Sequence, residues 1–108
     1  MSSSTRRTVI DPFALREAAG EAVAALKVLA NEDRLLLLCQ LSQGEMSVGE
    51  LEEQLGIHQP TLSQQLGVLR TEGIVDTRRD GKRIFYSVVE PKVFELLTVL
   101  YRLYCPKE

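Results

Sequence analysis

The chain is poor in the residues that build metal centres and catalytic sites. It has two cysteines, Cys39 and Cys105, and one histidine, His58. Two cysteines do not make the disulfide scaffold of a small secreted domain, and their spacing fits no zinc knuckle. His58 has no second histidine and no cysteine near it, whereas a metal site needs three or four ligands at matched spacing; it reads as a helix-cap or DNA-facing residue instead. There is no Ser-His-Asp set, no glycine-rich loop to cradle phosphate and no metal cluster, so an enzyme is not expected. No apolar run is long enough to cross a bilayer. The start, Met1-Ser2-Ser3-Ser4-Thr5-Arg6-Arg7, has no apolar secretion signal, and the expected location is the cytoplasm. Internal repeats are absent as well.

What is present suits one small folded domain. The chain has 108 residues, 44% of them apolar and 26% charged, which is enough for a single core and ordinary for a globular protein. Residues 1–11 read as a disordered lead, and residues 12–108 as a single domain whose terminal helices dimerise. Net charge is −2, so the protein is not uniformly basic. Its charge is uneven, however. Between Asp11 and Glu53 there are nine acidic residues against three basic ones, a local balance of −6. Between Arg70 and Arg83 there are five basic residues, 70, 78, 79, 82 and 83, against three acidic ones, a balance of +2. A local patch of this kind is what a phosphate-binding surface requires.

Periodicity and capping signals divide the chain. Leu15, Ala18, Ala19, Ala22, Leu26 and Leu29 recur at helical spacing and predict a first helix from Pro12 to Leu29. Asn31 caps a second, with Glu32 and Asp33 favourable in its first turn. The run Leu35 to Leu41 is apolar around most of its circumference and predicts a buried central helix ending at Gly44. Ser47 and Glu50 form an S-x-x-E capping box that opens a third helix, and Gly56 stops it. A fourth is capped by His58 or Gln59, with Pro60 in its first turn, and carries an inner stripe of Leu62, Leu66 and Leu69 up to Gly73. Ile74 to Asp80 and Lys82 to Val89 predict two strands joined at Asp80-Gly81. Pro91 starts a last helix with Val93, Leu96, Leu97, Leu100, Leu103 and Tyr104 in one stripe, widened by Phe94 and Tyr101. A stripe that wide calls for cover from a partner subunit.

Four helices, a hairpin and a closing helix make the order of a winged helix-turn-helix, mainly α with a small β-hairpin wing. The third and fourth helices form the reading unit, and Thr77 to Tyr86 form the wing. Gln59, Thr61, Ser63, Gln64 and Gln65 crowd the start of the fourth helix. Their amides and hydroxyls suit hydrogen bonding to base edges in a major groove. The plainer alternative is a solvated face, but such faces usually mix in Lys and Glu, and none occurs between Gly56 and Val68. Arg70, Arg78, Arg79, Lys82 and Arg83 suit contact with phosphates; the wing charges also serve as gatekeepers on an exposed hairpin. Taken alone, Cys39 reads as a small core residue and Cys105 as a tail residue.

The run from Ser47-Val48-Gly49-Glu50-Leu51 through Gln59-Pro60-Thr61-Leu62-Ser63-Gln64-Gln65-Leu66-Gly67-Val68-Leu69-Arg70 to Gly73-Ile74-Val75 resembles the ArsR family of homodimeric winged-helix repressors. It is most similar to the sulfide- and persulfide-responsive BigR/SqrR branch. That resemblance implies a repressor of double-stranded operator DNA. Metal-sensing members place Cys-x-Cys before the turn or Asp/His and His/Glu pairs on the last helix, and this chain has neither. The responsive branch uses one cysteine on the second helix and one near the end of the last, which Cys39 and Cys105 match. The resemblance therefore implies that reactive sulfur species link these two thiols and lower DNA affinity. Arg102 and Lys107 beside Cys105 favour a thiolate, whereas burial and a helix C-terminus oppose it. The rival expectations are a thiol-disulfide oxidant sensor, a protein-interaction module without a DNA role and, from Cys105-Pro106, haem binding at Cys105.

Overall fold

A computed structural model describes residues 10–105. Residues 1–9 of the expected lead, and Pro106 and Lys107 beside Cys105, lie outside the described residues. Eight elements follow one another. Helix α1 spans Pro12–Leu29 and α2 spans Glu32–Leu41; a short strand β1, Met46–Ser47, leads into α3, Val48–Leu55. Helix α4 spans Thr61–Thr71, strands β2 and β3 span Val75–Asp80 and Arg83–Val88, and α5 spans Pro91–Tyr104.

The helix starts follow from local chemistry. Asp11 accepts the Phe13 N–H at 3.0 Å, and Asn31 accepts the Arg34 N–H at 3.0 Å, each satisfying an amide that the helix cannot. The capping box on α3 is complete. The Glu50 N–H donates to Ser47 Oγ at 3.2 Å, and the Ser47 N–H donates to Glu50 Oε1 at 2.8 Å. Gly56 closes α3 with φ of 70°, a left-handed backbone that glycine adopts without a steric penalty. Helix α4 begins one residue later than the sequence suggests. Pro60 sits immediately before it with no side-chain cap of its own, and the first helical bond runs from the Leu62 N–H to the His58 carbonyl at 3.0 Å.

Eight side chains are essentially sealed from solvent: Leu37, Leu38, Leu51, Leu62, Leu66, Leu69, Val93 and Leu97. They come from α2, α3, α4 and α5, so the inner stripe of α4 is part of the only cluster of buried residues described. Helix α2 packs against α1, α3, α4 and α5, as its apolar run predicts. One member departs from that expectation: Leu36 stays exposed.

The sheet has three antiparallel strands in the order β1-β3-β2. This extends the expected two-stranded hairpin, because Met46 and Ser47 pair with Tyr86 and Phe85. A two-residue strand carries no periodicity to detect. The hairpin register pairs Val75 with Val88, Thr77 with Tyr86 and Asp80 with Arg83. Gly81 and Lys82 thus form the two-residue loop, one position later than Asp80-Gly81, and the φ of 65° at Gly81 explains the glycine.

Candidate nucleic-acid interface and thiol pair

The reading face of α4 is set by helical phase. Leu62, Leu66 and Leu69 fill one side, which leaves Ser63, Gln64, Gly67, Val68, Arg70 and Thr71 exposed. Gln64 has no side-chain hydrogen bond among the described residues, so both ends of its amide are open to a ligand. A Cβ on Gly67 would meet nothing within 4 Å, so this part of the surface is flat and approachable. Thr71 shares this face, although position alone did not single it out.

The other expected base-reading residues are placed differently. Gln59 Oε1 accepts from both the Ser63 N–H at 3.2 Å and the Ser63 hydroxyl at 2.6 Å. Gln59 therefore supplies the missing side-chain cap of α4, while its amide NH₂ stays outward. Thr61 is half-buried at the first helical position. Gln65 turns the other way. It is half-buried, and its Oε1 accepts from Arg34 Nη1 of α2 at 3.0 Å. Gln65 thus differs from Gln64 in that its amide oxygen already serves the α2–α4 contact. His58 Nδ1 lies 3.0 Å from Glu52 Oε2 across the turn, which ties α3 to the entry of α4.

The basic residues divide in the same manner. Arg78 and Arg83 flank the Phe85 ring, 4.8 Å and 5.0 Å from its centroid, a cation–π sandwich on one face of the wing. Arg78 is paired with Glu45, and the pairing holds the Glu45 carboxyl below its ordinary range and raises the guanidinium. Arg83 Nη2 donates to Ser47 Oγ at 3.1 Å and lies 3.7 Å from Glu50. The Glu50 carboxyl is held low chiefly by the Ser47 N–H, with Arg83 adding to it. These two arginines thus fasten the wing to β1 and the start of α3. Arg70, Arg79 and Lys82 have no ion pair among the described residues and project from the end of α4 and the wing tip.

Cys39 and Cys105 are both half-buried and unbridged. Cys39 lies on α2 and Cys105 directly follows the last residue of α5, and these two helices pack on each other. Burial pushes the Cys39 thiol up, and the neighbouring Cys105 pushes it further.

Helices α1 and α5 form the remaining conspicuous surface. Phe13, Leu15, Val23 and Leu26 of α1 are exposed, as are Phe94, Val99, Tyr101, Leu103 and Tyr104 of α5. A groove of about 580 Å³ runs between the two helices, lined by residues such as Ala22, Leu26, Val93, Leu96 and Val99. Lys92 and Glu21 close one rim at 2.8 Å.

A core-anchored helix with an outward polar face, preceded by a capped helix and followed by a basic hairpin, defines a winged helix-turn-helix of the kind that binds DNA and regulates transcription. Known proteins agree. The signature described as "Bacterial regulatory protein, arsR family" matches residues 31–77. The Biofilm growth-associated repressor of Agrobacterium fabrum is 56% identical over 95 residues, covering 88% of this chain and 81% of that one. The Transcriptional activator HlyU of Vibrio cholerae is 45% identical over 79% of each chain. The crystal structure of the transcriptional repressor BigR from Xylella fastidiosa superposes with a TM-score of 0.85 at 50% identity, covering 91% of this chain and all of that one. This chain belongs to the arsR family of bacterial regulatory proteins, and the relatives named above are transcriptional regulators.

Proposed function

We propose that this chain is a homodimeric repressor that reads a partly palindromic operator and leaves it when Cys39 and Cys105 become linked by sulfur. Gln64 is the principal base reader, with the Gln59–Ser63 pair and Thr61 beside it. Arg70, Arg79 and Lys82 bind phosphate directly, and Arg78 and Arg83 add to the same field while holding the wing in place. The dimer forms through the apolar faces of α1 and α5, so that two α4 helices enter successive major grooves. The place of action is the cytoplasm; among the described residues no helix is long and apolar enough to cross a membrane.

What supports the sensing half is the packing of α2 on α5, the two elements that carry Cys39 and lead directly into Cys105. Each thiolate takes a sulfane sulfur from a persulfide donor, which departs as a thiol. One cysteine persulfide then attacks the other and expels hydrogen sulfide, leaving a trisulfide between Cys39 and Cys105. No further oxidant is required. Cys39 lies on α2, which packs on both α5 and α4, so a tether between α2 and α5 acts on the dimer face and on the reading helix together.

Electrophoretic mobility shift against the chain's own upstream DNA tests the reading. Reduced protein is expected to bind at low salt, to bind less tightly as salt rises, and to be released by persulfide more effectively than by peroxide or diamide. No binding at any salt would favour a protein-interaction module, and equal release by all three reagents would favour a general thiol-disulfide sensor.

A further inference from the structure

The guanidinium of Arg34 joins three helices. Its Nε donates to the Val28 carbonyl at 2.7 Å and its Nη2 to the Lys27 carbonyl at 3.2 Å. Both carbonyls lie in the last turn of α1, where a helix concentrates negative partial charge. Its Nη1 donates to Gln65 Oε1 in the middle of α4 at 3.0 Å. Because arginine only donates, the oxygen of the Gln65 amide must be the atom that faces it. The planar fork grips both ends at once, which a lysine ammonium could not reproduce. Asn31, which caps α2, holds the Arg34 backbone in turn. Gln65 itself stands in phase with the buried stripe, three residues after Leu62 and four before Leu69.

We infer that Arg34 and Gln65 are positioning residues that fix the angle of α4 against α1, and so set the separation of the two reading helices in the dimer. The inference rests on the proposed reading of DNA by a dimer built on α1. It makes Gln65 matter for operator geometry and not for base identity. A base reader is specific to one base pair, whereas a positioning residue controls how well the two half-sites are matched in spacing. The same strut gives a change at the dimer face a direct route to α4.

Two substitutions in the full chain separate these roles. Gln65→Glu keeps an acceptor for Arg34, strengthened by charge, but removes the donor that adenine needs. Gln65→Ala removes the acceptor altogether. Binding is measured by fluorescence anisotropy on operator duplexes whose half-sites are moved apart or together by one base pair, with circular dichroism to verify folding. Gln65→Glu is expected to bind as the unsubstituted protein does and to keep its spacing preference. Gln65→Ala is expected to lose about tenfold on the preferred spacing, some 1.4 kcal/mol, and to discriminate less between spacings. The inference is overturned if folded Gln65→Ala matches the unsubstituted protein at every spacing. It is also overturned if Gln65→Glu loses as much as Gln65→Ala at every spacing. Failure of the unsubstituted protein to bind any of these duplexes would instead remove the DNA reading, and this inference with it.

Discussion

Gln64 is the residue whose placement best matches base reading. Its amide is unengaged among the described residues and stands opposite the leucines of the core. Gln64→Ala is expected to weaken specific binding by about 1–3 kcal/mol and to relax preference at one base pair; an equal loss on all sequences, measured by competition with mixed duplexes, would contradict that role. Gln59, Gln64 and Gln65 look equivalent in composition, and polarity alone does not separate them. Helical phase does: Gln65 falls within the leucine stripe, so its inward turn was legible in the spacing, whereas the Gln59–Ser63 bond was not. Cys39 supplies a second prediction at this scale. Burial holds its thiol above the ordinary range, so the reactive thiolate is scarce at neutral pH and grows as pH rises. In a Cys105→Ser variant, where burial still acts, the rate of Cys39 persulfidation is expected to climb by about tenfold per unit between pH 6 and 8. A rate already level across that range, followed by intact mass, would mean a thiol that ionises readily.

Among the elements, the wing holds the least expected chemistry. The two strands of the hairpin were readable from their strand-forming residues, but the turn fell one position later than Asp80-Gly81, which shifts the pairing to Asp80 with Arg83; the S-x-x-E box correctly opened α3. What the sequence could not reveal is that Arg78 is paired with Glu45, a residue 33 positions away, or that a two-residue strand brings them together. Such contacts depend on topology and leave no local pattern. They give the basic residues opposite roles in a salt titration. Arg79→Ala removes a free cation and is expected to weaken binding to all sequences and flatten the dependence of log K on log salt by about one unit. Glu45→Gln releases Arg78 and is expected to tighten binding to all sequences and steepen that slope; weaker binding would show that Glu45 is needed to hold the arginine in its productive place. Ser47→Ala breaks the capping box and the Arg83 contact together. A loss of about 1 kcal/mol in denaturant stability is expected from the cap.

Among the described residues, large apolar side chains of α1 and α5 are exposed together, a surface of the kind that an interface covers. The alanine-rich face of α1 and the wide stripe of α5 were visible in the periodicity; that they lie side by side around one groove depends on the packing of α2 between them. Leu26→Glu, which places a charge in this groove, is expected to give a folded monomer by sedimentation and to lose most operator affinity, because one reading helix cannot span two half-sites. A dimer of unchanged affinity would move the interface elsewhere. In the proposed mechanism, one covalent event between α2 and the end of α5 controls a two-headed reader. The most direct test measures operator affinity and peptide masses in the same sample before and after persulfide treatment, with Cys39→Ser alongside. Affinity is expected to fall in step with a sulfur-bridged Cys39–Cys105 peptide, and Cys39→Ser is expected to bind DNA but never to be released. Release without that bridge, or equal release of Cys39→Ser, would contradict the mechanism.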